Sequence, residues 1–200
     1  YQVVDDRAMP STTREGYTFD GWYDNAQLSG EAVASLPEEY PVGTTTYYAK
    51  WAPRNDIAYT VNYYLSGTSV EVAPSKSVEG QTMDTEVVEN AINVAGYTAI
   101  APTSETLKLA AEDNVITFYY EADFSSFSAR GFDVVYDGAA HEVELKGDLL
   151  SDDTVEYWAN GSQLASNEFV EVVDSAKVTV KVIRNGVEWS SDPVDATIAK

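Results

Sequence analysis

Residues 16–24 read GYTFDGWYD, and residues 47–51 read YYAKW. Tyr17, Phe19, Trp22 and Tyr23 place four large aromatics in the first stretch, interrupted by Gly16 and Gly21. Aromatics alternating with small or polar neighbours predict a strand whose apolar face carries Tyr17 and Phe19. Gly21 lets that strand kink before Trp22 inserts. The second stretch predicts a closing strand that ends on Trp51, so the pair reads as two halves of one small aromatic core. Burying a tryptophan removes ~150–250 Å² from water, and truncating it to alanine costs about 3–5 kcal/mol. A small module has little stability to spare, so Trp22 is expected to be core rather than an exposed platform for a sugar ring.

Composition narrows the field around this motif. Apolar residues make up 44% of the 200-residue chain, which is ordinary for folded protein and argues against wholesale disorder. The charge is not ordinary: 33 acidic residues face 12 basic ones, a formal net of −21. That acidity is spread as about −5, −7 and −9 over residues 1–53, 54–122 and 123–200. Such a surface repels nucleic acid and anionic headgroups, so no nucleic-acid partner is expected. No apolar run approaches the ~20 residues of a membrane helix, so no membrane insertion is expected within these residues. There is no cysteine, which removes disulfides and thiolate chemistry. The chain opens inside a pattern and closes just after a strand, as a fragment of something longer would.

Residues 1–53 form the first expected module. After the aromatic strand, residues 24–36 are a polar, alanine-containing connection with room for one short helix. Pro37 and Pro41-Val42-Gly43 break it before the closing strand. GYTFDGWYD followed by YYAKW resembles the Listeria–Bacteroides repeat, the B-repeat of internalin-type surface proteins. The resemblance implies a small β-grasp-like sheet over a short helix, here shortened at its start.

Pro53-Arg54-Asn55-Asp56 is a polar break, and residues 54–122 form the second expected module. Tyr59, Val61 and Tyr63 alternate onto one face of a strand over 59–65, Ser66-Gly67-Thr68 turns it, and residues 70–73 return. Asp84 is a candidate N-cap for a helix over 85–93 with Val87, Val88, Ala91 and Ile92 apolar. Gly96-Tyr97 opens another strand, and VITFYY at 115–120 closes the module. Tyr63, Gly80, Gly96-Tyr97 and residues 116–120 resemble the MucBP (mucin-binding protein) domain of Gram-positive adhesins. That resemblance implies a second α+β, β-grasp-like module and makes it the expected place of any mucin or glycan contact.

Residues 123–200 read as strands and turns only. Asp137-Gly138 between 132–136 and 142–146 signals a hairpin or tight turn, as do Asn160-Gly161 and Asn185-Gly186 between their flanking strands. Val178, Val180 and Val182 alternate with Thr179 and Lys181, one face in and one out. Further strands over 169–173 and 194–199 bring the set to about seven, which argues for an Ig-like β-sandwich. YDGAAH at 136–141 also resembles the opening of Ig-like repeats in bacterial cell-surface proteins. The fold expected is therefore mainly β and multi-module.

No constellation of residues points to catalysis. The single histidine, His141, sits four residues beyond Asp137, and no nucleophile elbow supplies a serine. There is no phosphate loop, dinucleotide fingerprint or paired-histidine motif, so no catalytic, cofactor-binding or metal residue is assigned and no cofactor is expected. Asp148, Asp152 and Asp153 share one loop that could collect calcium, yet they lack the alternating spacing and glycine of a calcium loop; a solvated loop is the default. Lys146, Lys177 and Lys181 are candidates for an isopeptide crosslink with no local mark of a partner. Asn160-Gly161-Ser162 matches a glycosylation sequon that the turn explains equally well.

These readings converge on a non-catalytic segment of a secreted, cell-wall-associated bacterial surface protein. The expected partner is host mucin, another glycan or an extracellular protein, bound by a monomer. A spacer that projects a distal domain is the alternative, and an accessory region of a secreted carbohydrate-active enzyme is a third.

Overall fold

β-Branched and aromatic residues at alternating positions commit most of this chain to strands. The computed structural model describes residues 7–38 and 42–200, apart from the side chain of Asp174. Pro41 of the expected breaker lies outside the described residues. In chain order the strands are β1 (Tyr17–Tyr23), β2 (Tyr48–Pro53), β3 (Ile57–Leu65), β4 (Lys76–Gln81), β5 (Glu86–Asn90) and β6 (Tyr97–Ala99). Next come β7 (Ser104–Lys108), β8 (Val115–Ala122), β9 (Ser128–Arg130), β10 (Phe132–Val135), β11 (His141–Glu142) and β12 (Glu144–Lys146). The last are β13 (Thr154–Ala159), β14 (Ser162–Gln163), β15 (Glu168–Phe169), β16 (Val173–Arg184), β17 (Val187–Ser190) and β18 (Val194–Ala199). Among the described residues there is no helix, and none long and apolar enough to cross a membrane. The chain is mainly β.

By compactness the chain divides into two units. One takes in the described residues up to Asn62 together with Pro74–Asn90 and Pro102–Thr117; the other comprises Tyr63–Ala73, Ala91–Ala101 and Phe118–Lys200.

In the first unit β1 and β2 pair antiparallel, setting Phe19 opposite Trp51 and Tyr23 opposite Tyr48. The register slips between Phe19 and Gly21, a bulge at the expected kink. Gly21 adopts φ +115°, and a Cβ there would stand 2.8 Å from the Ala32 Cβ. β3 pairs antiparallel with β4 and alternates as read, burying Ile57, Tyr59 and Val61. Buried Asn114 accepts from the Ala110 amide at 2.8 Å and donates to the carbonyls of Ala58 and Ala110 at 3.1 and 2.9 Å. Its polar atoms thereby stay satisfied inside an apolar setting.

The helix expected over 85–93 is a strand instead. Residues of β5 pair antiparallel with β7, Val87 opposite Leu107 and Val88 opposite Thr106. Two adjacent β-branched valines favour the extended backbone, and the cross-strand partner decides the matter. Asp84 does not cap a helix; it takes φ +66° and turns the chain into β5. The connection over 24–36 holds no helix either. Asn25 organises it, its side chain bonding Ser29 through both backbone groups and the hydroxyl. The helices that the α+β, β-grasp-like expectation required are thus absent from the described residues.

In the second unit β16 is the axis. It pairs antiparallel with β13, β17 and β18, and β10 joins β18 in parallel. Val178, Val180 and Val182 are fully buried, as their alternation predicts, with Val143 and Ala196 against the first two. Asn160-Gly161 and Asn185-Gly186 make the expected hairpins, each with φ positive at both residues. Asp137-Gly138 does not. It is a tight turn, the Asp137 carboxylate accepting from the Ala139 amide at 2.8 Å. The strands around it separate, β10 to β18, β11 to β15 and β12 to β9. Residues 70–73 return beside β3 through two backbone bonds, Leu65 to Val70 and Val72 to Tyr63, with one bridge rather than a strand.

Candidate functional site

The concave feature with the most chemistry lies in the first unit. A cleft of about 430 Å³ is walled by the loop Thr12-Thr13-Arg14-Glu15, by Phe19 and Trp51, and by Arg54 and Glu112. The bulged β1–β2 pair sets its aromatic wall: Phe19 and Trp51 are cross-strand partners with ring centroids 5.2 Å apart. Such pairs fix each other's rotamers, so the wall is preformed.

Gly16 governs how the loop enters. It has φ +76°, and a Cβ there would come within 2.5 Å of Met83 Sδ. Its carbonyl accepts from the Arg54 amide at 3.0 Å, and the Arg54 carbonyl accepts from Met83 at 2.8 Å. Arg54 is anchored at its other end by a bidentate pair with Asp56, 2.9 and 3.0 Å. That guanidinium holds Asp56 below the usual carboxylate range. Arg14 lies over the Tyr17 ring at 3.8 Å, a cation–π contact. The Tyr17 hydroxyl donates to Asp84, which also pairs with Lys108 at 3.0 Å. These bonds hold Asp84 ionised below its ordinary range, while the same carboxylate pushes the Tyr17 phenol up. The cleft therefore combines an aromatic wall, two threonine hydroxyls, fixed cations and carboxylates.

Trp22 stands elsewhere and is half-buried rather than core. Its Nε1 donates to the Pro10 carbonyl at 2.8 Å, and its ring meets Phe19 edge-on at 5.5 Å. Tyr23, which the sequence did not single out above its neighbours, is the deepest residue of β1 at 6% exposure.

The other candidates scatter through the second unit. His141 places Nε2 3.1 Å from Asp137 and its ring 5.7 Å from that of Phe132. Lys146, Lys177 and Lys181 all end on carboxylates: Glu144 at 3.8 Å, Asp195 at 2.6 Å and Glu188 at 2.9 Å. Asn160 occupies the tip of its hairpin, where the turn accounts for it.

In the loop of Asp148, Asp152 and Asp153 the first two are exposed, as the solvated reading expects, and Asp153 alone departs from it. Asp153 has a side chain 1% exposed, and both its oxygens are taken by Arg184, at 2.9 and 2.6 Å. Arg184 holds its carboxyl well below the usual range. Among the described residues no three acidic or histidine side chains converge as a metal site. Arg184 escaped the sequence reading, though the signal was there: it continues the inward series Val178, Val180, Val182 by one more step of two.

No curated protein matches the chain by sequence. Residues 4–50, which include β1, the whole of the first aromatic stretch and the second as far as Lys50, match the family model of the Listeria-Bacteroides repeat domain, a repeat found in bacterial surface proteins.

Proposed function

We propose that the chain is a non-catalytic segment of a secreted, cell-wall-associated bacterial surface protein that adheres to host glycan or mucin. Three modules compose it in this reading: 1–53, a MucBP-like 54–122 and an Ig-like 123–200. The observation that carries the adhesive part is the cleft beside β1 and β2. Saccharides present apolar C–H faces between hydroxyls, and a preformed aromatic wall flanked by Thr12, Thr13, Arg54 and Glu112 offers partners to both. The net charge of −21 disfavours nucleic acid and anionic membranes as competitors for that surface.

The test is binding of the whole chain to immobilised mucin and to a glycan array. Dose-dependent binding is expected, weakened at least about tenfold, or ~1.4 kcal/mol, by Thr13→Arg, which fills the cleft from an exposed loop position. Absence of binding at high micromolar concentration overturns the adhesive role. A spacer that presents a distal domain then leads, a reading favoured by the engagement of Arg14 and Arg54 with the protein's own Tyr17 and Asp56.

A further inference from the structure

Arg184 ends β16 with a side chain 2% exposed. A guanidinium carries five N–H donors, and here each has an acceptor. Nε donates to Asp153 at 2.9 Å and Nη2 to the other Asp153 oxygen at 2.6 Å. The second Nη2 donor reaches the Asp148 carbonyl at 3.0 Å. Nη1 leaves the C-terminal segment's loop altogether, donating to the carbonyls of Gly96 at 2.8 Å and Asp123 at 2.9 Å. The plane is boxed by aromatics, its carbon 5.9 Å from the Tyr97 ring centroid, 5.2 Å from Phe124 and 5.6 Å from Phe127. Beside it, Asn185 donates to the Tyr97 hydroxyl at 2.7 Å.

A saturated guanidinium has no donor left for an anion, so this is not a ligand site. Its acceptors come from three stretches distant in sequence: the turn before β6, the end of β8, and the loop before β13. Gly96 lets the first come close. It has φ +77°, and a Cβ there would stand 2.4 Å from Nη1 and 3.0 Å from Leu150 Cδ1. Segments joined by a short linker ordinarily move against each other unless a substantial interface restrains them. A buried, fully bonded charge is a strong restraint on geometry, because any shift strands a donor away from water.

We infer that Arg184 is a lock that welds the end of the middle segment to the C-terminal sheet, so that residues 63–73, held to β8 by the Ser66 amide on the Tyr120 carbonyl at 2.8 Å, move with 91–101 and 118–200 as one rigid body. The inference holds whether the chain binds glycan or only carries another domain. Its consequence is mechanical: this stretch transmits orientation instead of bending at residues 122–124.

The chain has no cysteine, so spin labels go in cleanly at chosen sites. One pair joins exposed Ser69 to exposed Ser162; a control pair, Glu144 and Ser162, lies within the C-terminal segment. Pulsed electron–electron spectroscopy of the full chain should give a single narrow Ser69–Ser162 distance. Arg184→Met should lose it, leaving the control pair narrow. Because Arg184→Met can also unfold its own sheet, Gly96→Ala is the second variant. It keeps both Arg184 and Asp153 in the chain and sets a Cβ against Nη1 from the side of the middle segment, so the cross pair should broaden while the control pair stays narrow. A broad cross-pair distribution in the unsubstituted chain overturns the lock, as does a cross pair in Gly96→Ala that stays as narrow as in the parent.

Discussion

Replacing Asp153 by asparagine keeps the size of the side chain and removes its charge. Arg184 remains buried, with its desolvation already incurred and its counter-charge gone. The carboxylate accepts three hydrogen bonds: from Arg184 Nε at 2.9 Å, from Nη2 at 2.6 Å and from the Leu150 amide at 2.9 Å. An amide offers one oxygen, so at least one guanidinium N–H must face an NH₂ donor. Losing one charge-assisted bond costs ~1.5–3 kcal/mol, and the unpaired buried cation raises the total to about 3–5 kcal/mol. That is a large part of the ~5–15 kcal/mol of a folded domain. A urea titration followed by the amide signals of Val178, Val180 and Val182 reads the stability of β16 directly. The double variant Asp153→Asn with Arg184→Met should lose less than the two singles together, since it leaves no charge behind. The acid limb gives a second check. A carboxyl depressed in the fold contributes stability that is present above the unfolded value near ~3.9 and is lost as pH falls through the folded value. The gap between parent and Asp153→Asn should therefore be constant above about pH 5 and close below about pH 4. A loss under ~1 kcal/mol for Asp153→Asn, or a gap independent of pH, refutes the account of a buried, mutually dependent pair.

The rest of the fold offers further tests. Val180 is fully buried at the centre of β16, so Val180→Ala should cost about 2–3 kcal/mol in the same titration. Trp22 is half-buried, so Trp22→Ala should cost ~2–3 kcal/mol by chemical denaturation of the first unit and leave it folded, where a core tryptophan would unfold it. Gly161 has φ +77° in open space, so Gly161→Ala should lose ~1–2 kcal/mol through backbone strain alone, seen as faster amide exchange in β13 and β14. Exchange rates unchanged at that hairpin would mean the turn does not need its left-handed residue.

How much of this was legible follows from where each feature gets its information. The Asn-Gly hairpins were legible because two consecutive positive φ angles are a local demand that few dipeptides meet. The alternation of Val178, Val180 and Val182 was legible because burial on one face imposes a period of two. Asp137-Gly138 met the local demand for a turn, yet its strands pair elsewhere: β10 lies parallel to β18, more than sixty residues on. Pairing at that range is decided by the whole sheet and leaves no mark at the turn. The stretch 85–93 failed for a related reason. Val87, Val88, Ala91 and Ile92 fit a helical stripe, and only the partner β7 converts the same residues to a strand. The aromatic wall of the cleft, Phe19 with Trp51, could be read because both lie in the quoted motif; its polar rim, drawn from residues 12–15, 54 and 112, could not. Arg184 is the instructive omission. A charged residue in register with three buried valines contradicts the pattern, and burial of a charge is tolerated only where partners are waiting. Extending the alternation by one step and asking what could satisfy five donors leads to a carboxylate and several carbonyls. One acidic loop, residues 148–153, is near enough along the sheet to supply both. The violation of the inside–outside rule identifies the joint, and Asp153 with the Asp148 carbonyl of the acidic loop forms part of the lock's other half.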